Sequence, residues 1–150
     1  KNLILTPSDE TDIDSIESIQ ELWKGCGAHT SLMSPYQHDE MLAMTSHLPH
    51  LLAFTYMNHM LSNSTEKNED TLLNFAGSGF RDFTRIASSS PEMWKDICLA
   101  NRRLLLQQIR VYQNELARMN EILEDGDGAV LEKFFLNAQI TRGKFLKNKH

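Results

Sequence analysis

The chain has 150 residues, 41 % hydrophobic and 23 % charged, enough for a domain with a real core. A net charge of −5, from 15 basic and 20 acidic residues, argues against a nucleic-acid footprint. No apolar run reaches membrane-spanning length and no signal-peptide pattern opens the chain, so neither a membrane partner nor secretion is expected.

Leu3 to Leu5 read as a short strand closed by Pro7. With nothing before it to pair with, it looks like the last strand of a domain that has been cut away. Thr11 or Asp12 can cap a helix whose apolar positions are Ile13, Ile16, Ile19, Leu22 and Trp23, and Gly25 and Gly27 end it. Ala28 to Met33 is a second extended piece beside the first. Residues 1–33 therefore read as a strand-helix-strand remnant, and 34–150 as a helical domain, making the chain mainly all-α.

Ser34-Pro35-Tyr36-Gln37 is a helix start, with a serine cap, proline at the first position and glutamine placed to close a capping box. From Met41 to Leu61 the chain is apolar on nearly every side, which calls for burial in a large core or between subunits. Pro49 interrupts that run and predicts a kink or break near Thr45 to Leu48, beside His47 and His50. Ser62 to Asp70 reads as an exposed polar loop and Thr71 to Ala76 as a short helix. Ser90-Pro91 starts another capped helix that meets no breaker until Asp125-Gly126-Asp127-Gly128, and a last helix spans about Ala129 to Phe145. The basic residues from Arg142 to Lys149 complement that helix's dipole. Cys26 and Cys98 follow apolar helical patterns and are expected as buried free thiols in a reducing, cytoplasmic compartment.

Two stretches carry chemistry. In Gly77-Ser78-Gly79-Phe80-Arg81-Asp82-Phe83-Thr84-Arg85, glycines able to turn through positive φ precede two arginines that bracket an acid. Arginine's planar fork matches a carboxylate, so the stretch points to an anion pocket. Its bland reading is an internal ion-pair network, with Asp82 pairing one arginine while the other faces a ligand. In Ser46-His47-Leu48-Pro49-His50, the histidines can bind metal, bond to backbone freed by the kink, or face a ligand. No third ligand stands at a suitable spacing, so metal is not expected. Trp94 taken alone reads as core. There is no complete acid-base constellation, P-loop or dinucleotide fingerprint, so the chain looks like half of an active site.

Ser46-His47-Leu48-Pro49-His50, with Gly79 to Ala87 and Pro91-Glu92-Met93-Trp94, resembles the C-terminal domain of prephenate dehydrogenases. The opening Leu3-Ile4-Leu5-Thr6-Pro7 with Glu10-Thr11-Asp12 resembles the end of that family's NAD-binding domain. The resemblance implies NAD- or NADP-dependent oxidative decarboxylation of prephenate to 4-hydroxyphenylpyruvate, in tyrosine biosynthesis. It implies a homodimer with interlocked helical domains, in the cytoplasm. Arg85 would anchor a substrate carboxylate, and Asp82, with Arg81 beside it, would belong to an ionic gate. His50 would touch the ligand's side chain and serve feedback by L-tyrosine, His47 would line the same pocket, and Ser78 and Gly79 would bring backbone to the ligand. Trp94 would reach across the dimer. The catalytic histidine and the cofactor site would lie upstream of Lys1, so the 150-residue chain alone is expected to be inactive. The competing readings are a non-catalytic tyrosine-sensing module and a purely dimerising helical domain.

Overall fold

The computed structural model describes residues 1–63 and 74–147. The chain falls into two compact units, Lys1–Gln108 and Ile109–His150. In the first, strands β1 (Asn2–Leu5) and β2 (His29–Leu32) pair in parallel, Asn2 opposite His29 and Leu5 opposite Leu32. Helix α1 (Ile13–Gly25) joins them. The Asp12 carboxylate accepts from the Ser15 hydroxyl and from the Ser15 amide, each at 2.9 Å, and these bonds hold the carboxyl below its usual pKa. Gly27 turns the chain out of α1 at φ +77°, a left-handed conformation that glycine adopts without a Cβ penalty.

The apolar stripe of α1 is not covered by the described residues: Ile13 is 70 % exposed and Leu22 61 %. Cys26 is likewise exposed, contrary to the burial expected of it, because it lies at the C-cap of α1, beyond the helix's apolar stripe. Both cysteines are free, and Cys98 is half-buried, which pushes its thiol pKa up.

Helix α2 (Pro35–Leu42) starts with the capping box expected from its sequence. The Ser34 hydroxyl accepts from the Gln37 amide at 3.2 Å, and the Gln37 side chain accepts from the Ser34 amide at 3.1 Å. The chain then widens into a π-helical turn, Ala43–His47, and continues as α3, Leu48–Asn63. Within the widened turn the Leu48 amide reaches back five residues to the Ala43 carbonyl. Pro49 has no amide hydrogen to give, so the disturbance expected from it is a bulge upstream and not a break. The helix runs two residues into the stretch read as polar loop, through Ser62 and Asn63. Residues 64–70 of that loop, and the start of the helix read over 71–76, lie outside the described residues.

Helix α4 (Ser78–Thr84) passes directly into a 3-10 turn, Arg85–Ser88. Gly77 sits at φ −74° as its N-cap, and neither Gly77 nor Gly79 takes positive φ. The freedom expected of that glycine pair is therefore not used for a left-handed turn. Helix α5 (Pro91–Ala100) follows, capped by Ser90, and α6 (Arg102–Asp125) comes next. The uninterrupted helix read from Pro91 to Glu124 is thus two helices. They meet at Asn101, whose φ of −102° and ψ of 26° bend the chain while its amide still bonds the Ile97 carbonyl. A buried polar group must find partners, and Asn101 finds them off its own helix, as described below.

The buried apolar residues of this unit are Ala43, Leu48, Ala53, Trp94, Leu104 and Leu105, gathered where the α2–α3 segment meets the α5–α6 junction. The all-round apolar α3 is only partly covered within the chain, since Tyr56 and Leu61 stay exposed.

In the second unit, Gly126 at φ +67° reverses the chain, and Asp127 caps α7 (Gly128–Lys147) by accepting from the Ala129 amide at 2.9 Å. Lys144 and Lys147 occupy its last turn, where cations suit the dipole. Arg118 stands 5.8 Å over the Phe134 ring. Among the described residues no helix is long and apolar enough to cross a membrane.

Candidate functional site

The widened turn ahead of Pro49 presents two imidazoles. His50 puts its Nδ1 2.9 Å from the Ser46 carbonyl, four residues back. A carbonyl only accepts, so Nδ1 carries the hydrogen and donates. His47, buried beside it, has its Nδ1 3.2 Å from the side-chain amide nitrogen of Asn101. That same nitrogen donates to the Asp39 carbonyl at 2.7 Å. Both histidines thus use one nitrogen on local partners. Burial lowers the His47 pKa; Asp39 opposes this, while His38 and His50 add to it.

Trp94 covers the pair. It stacks on His50 with ring centroids 4.0 Å apart and planes 22° from parallel, and meets His47 edge-on at 6.0 Å. Trp94 is 8 % exposed, and its indole N–H is buried without a partner among the described residues. Beyond the indole lies an apolar groove of about 250 Å³ lined by Leu51, Phe54, Pro91, Trp94, Lys95 and Cys98.

The arginine stretch packs farther along α3. Tyr56 meets Phe83 edge-on at 5.8 Å and Phe80 at 6.1 Å. A second groove, about 330 Å³, lies between Phe54, Met57 and Asn58 on α3 and Thr84, Ala87 and Ser88. At 1.5 Å per residue, these α3 positions lie roughly 6–12 Å beyond His50.

The two arginines have separate fates. Arg81 turns back on its own chain, its Nη2 2.9 Å and its Nε 3.3 Å from the Ala76 carbonyl. Arg85 is exposed, and although its backbone bonds Arg81 and Ser88, its guanidinium has no hydrogen-bond or ion-pair partner among the described residues. Asp82 pairs with neither arginine, so the ion pair read from the sequence is not formed among the described residues. Ser78 and Gly79 sit exposed in the first turn of α4, and a Cβ on Gly79 would meet nothing within 4 Å.

The structure therefore brings together His47, His50 and Trp94, and places Arg85 on the 3-10 turn that packs against α3. Sequence reasoning missed Asn101. Its signal was a polar residue at a stripe position, three after Cys98 and three before Leu104 on the apolar face of the helical pattern. Among the described residues no three His, Cys, Asp or Glu side chains group as a metal site.

Residues 34–137 match the family model described as "Prephenate dehydrogenase, dimerization domain". The chain is 37 % identical over 136 residues to a prephenate dehydrogenase of Bacillus subtilis, covering 91 % of this chain and 36 % of that protein. It is 34 % identical over 140 residues to a cyclohexadienyl dehydrogenase of Zymomonas mobilis, covering 93 % of this chain and 47 % of that one. Its fold superposes with a TM-score of 0.89 on prephenate dehydrogenase from A. aeolicus in complex with hydroxyphenyl propionate and NAD+. The identity there is 32 %, over 96 % of this chain and 50 % of that one. The chain thus spans between about a third and a half of the length of these relatives, and it belongs to the prephenate dehydrogenase family, whose dimerization domain it carries.

Proposed function

We propose that the full polypeptide carrying this chain is a prephenate dehydrogenase, and that this chain supplies its dimer interface and part of its substrate pocket. The observation that carries the proposal is the cluster of His47, His50 and Trp94 at the widened turn, in a chain that superposes on a relative holding hydroxyphenyl propionate. The reaction is oxidative decarboxylation of prephenate to 4-hydroxyphenylpyruvate, and the nicotinamide cofactor, NAD or NADP, takes up the hydride.

This chain's own strand-helix-strand unit does not fit a dinucleotide. The turn from β1 into α1 carries no glycine, and the Asp12 carboxylate already occupies the helix N-terminus where a phosphate would bind. The exposed apolar stripe of α1 instead suits the edge of a larger sheet domain over residues 1–33, to which the cofactor belongs.

Prephenate is a dianion, and each carboxylate needs a donor once it leaves water. Arg85, whose guanidinium is uncommitted on the 3-10 turn packed against α3, serves as that anchor, and Asp82, one turn away and unpaired with it in this state, gates it. Ser78 and Gly79 line the approach. The imidazoles hold the ring, and L-tyrosine enters the same pocket through His50; Trp94, expected to reach across the dimer, is instead buried against His47 and His50 of its own chain and backs them from there. The exposed apolar faces of α1, α3 and α7 are then the surfaces that a second subunit and the preceding domain cover.

The test is turnover by the full polypeptide. Reduced cofactor should form with prephenate, and hydroxyphenyl propionate should compete with it. An enzyme that ignores prephenate, or that hydroxyphenyl propionate leaves uninhibited, would remove this reading.

A further inference from the structure

We propose that Asn101 is a positioning residue that fixes His47 as the neutral, Nε2-protonated imidazole, so that His47 meets the pocket as a hydrogen-bond donor and not as a cation. The role of the pocket rests on the function proposed above, while the tautomer itself does not.

The Asp39 carbonyl can only accept, and the Asn101 side chain approaches it at 2.7 Å, so the approaching atom is the amide nitrogen. That nitrogen carries two hydrogens. One goes to Asp39, and the other points to Nδ1 of His47 at 3.2 Å. Nδ1 must then offer its lone pair, which leaves the hydrogen of the neutral ring on Nε2. A protonated ring would set N–H against N–H in a site where Asn101 is 7 % exposed and His47 9 %.

The charges facing His47 do not reverse this. From α2, the Asp39 carboxylate favours the cation, but it is itself bonded to His38 Nδ1 at 2.9 Å. His38 and, from α3, His50 oppose the cation. From the α5–α6 junction come only the neutral Asn101 and Trp94. Burial also disfavours charge on His47, and its Nε2 has no partner among the described residues yet is not sealed from solvent.

His50 takes the opposite form when neutral. Its Nδ1 donates to the Ser46 carbonyl, so its Nε2 accepts. The two histidines thus offer one donor and one acceptor, three residues apart. The donor suits a carboxylate or carbonyl oxygen, and the acceptor suits a hydroxyl.

The experiment is histidine-selective 15N NMR on the full-length dimer. In the wild type, His47 should show an unprotonated Nδ1 and a protonated Nε2 at about pH 8, and should keep them at about pH 6.5, where a free imidazole is half protonated. N101D replaces the amide donor with an acceptor. It should move the hydrogen to Nδ1, raise the His47 pKa, and raise the KM for prephenate about tenfold or more with a smaller change in kcat. N101L removes both bonds and should leave a mixture of tautomers. A protonated Nδ1 on His47 in the wild-type spectrum overturns the proposal even if neither variant folds. So does a folded N101D with the wild-type tautomer. Failure to turn over prephenate with the expected spectrum would instead count against the functional reading alone.

Discussion

The indole of Trp94 lies flat on the imidazole of His50, centroids 4.0 Å apart, and fixes where the segment after Ser90 docks on α3. This contact joins the histidine turn to the helix that follows the arginine stretch, so its loss should be felt in both folding and binding. Deleting a buried tryptophan side chain costs roughly 3–5 kcal/mol. Trp94→Ala should therefore lower unfolding stability by about 3 kcal/mol or more in urea titration. Trp94→Phe keeps a stacking face and should lose only about 1 kcal/mol. Equal stability of the alanine variant and the wild type would show that the stack holds nothing in place.

His47 makes stability depend on pH in a stated direction. Burial holds its pKa below the usual value near 6.5, so the folded state binds fewer protons than the unfolded chain in mildly acid solution. Stability is unaffected above about pH 6.5 and falls as pH drops below it, by at most about 1.4 kcal/mol per pH unit for this one group. His47→Gln keeps an acceptor for Asn101 and removes the titration. Its denaturation midpoint should fall less steeply than the wild type's between about pH 6.5 and 5. Parallel curves for the two proteins would place the acid sensitivity elsewhere.

Local chemistry made much of this fold legible in the sequence. The caps at Asp12, Ser34 and Ser90 and the stops at Gly27 and Gly126 follow from residue types within a few positions of each other, while the parallel direction of the strand pair, 27 residues apart, was not read. Pro49 announced a disturbance, but a wider turn costs less than a break where α2 continues into α3 on either side of it, and sequence does not rank those outcomes. The bend at Asn101 was hidden because its partners, Asp39 and His47, lie 62 and 54 residues away. For the candidate site, the paired histidines and Trp94 were readable as a motif. The fates of Arg81 and Arg85 were not, since identical side chains four residues apart differ only in whether a free carbonyl lies within reach.

The capping box offers a test confined to one helix end. Ser34→Ala removes the hydroxyl that accepts from the Gln37 amide and leaves that donor to water. The expected loss is about 1 kcal/mol, with Ser34→Asp or Ser34→Asn retaining most of the stability. Because α2 presents Asp39 to Asn101, fraying at its start should not reach the site, and the KM for prephenate should stay within about twofold of wild type. A large KM change with a small stability change would mean that α2 transmits more than its packing shows.

Arg81 and Arg85 should separate cleanly by readout. Arg81 uses its guanidinium on the Ala76 carbonyl, an exposed bond whose loss is worth no more than about 1 kcal/mol. Arg81→Ala should therefore lower the melting temperature slightly and leave the KM for prephenate within about twofold. Arg85 has no such partner among the described residues, so Arg85→Ala removes nothing from the fold and should leave the melting temperature unchanged. An arginine–carboxylate contact contributes roughly 1.5–3 kcal/mol net, which corresponds to a KM raised about tenfold or more. Arg85→Lys keeps the charge but loses the planar fork, and should fall between wild type and alanine. Steady-state kinetics of the three variants in the full polypeptide decide the matter. A KM that rises for Arg81→Ala and not for Arg85→Ala would hand the anchoring role to the other arginine, and the Ala76 contact would then have to open before substrate binds.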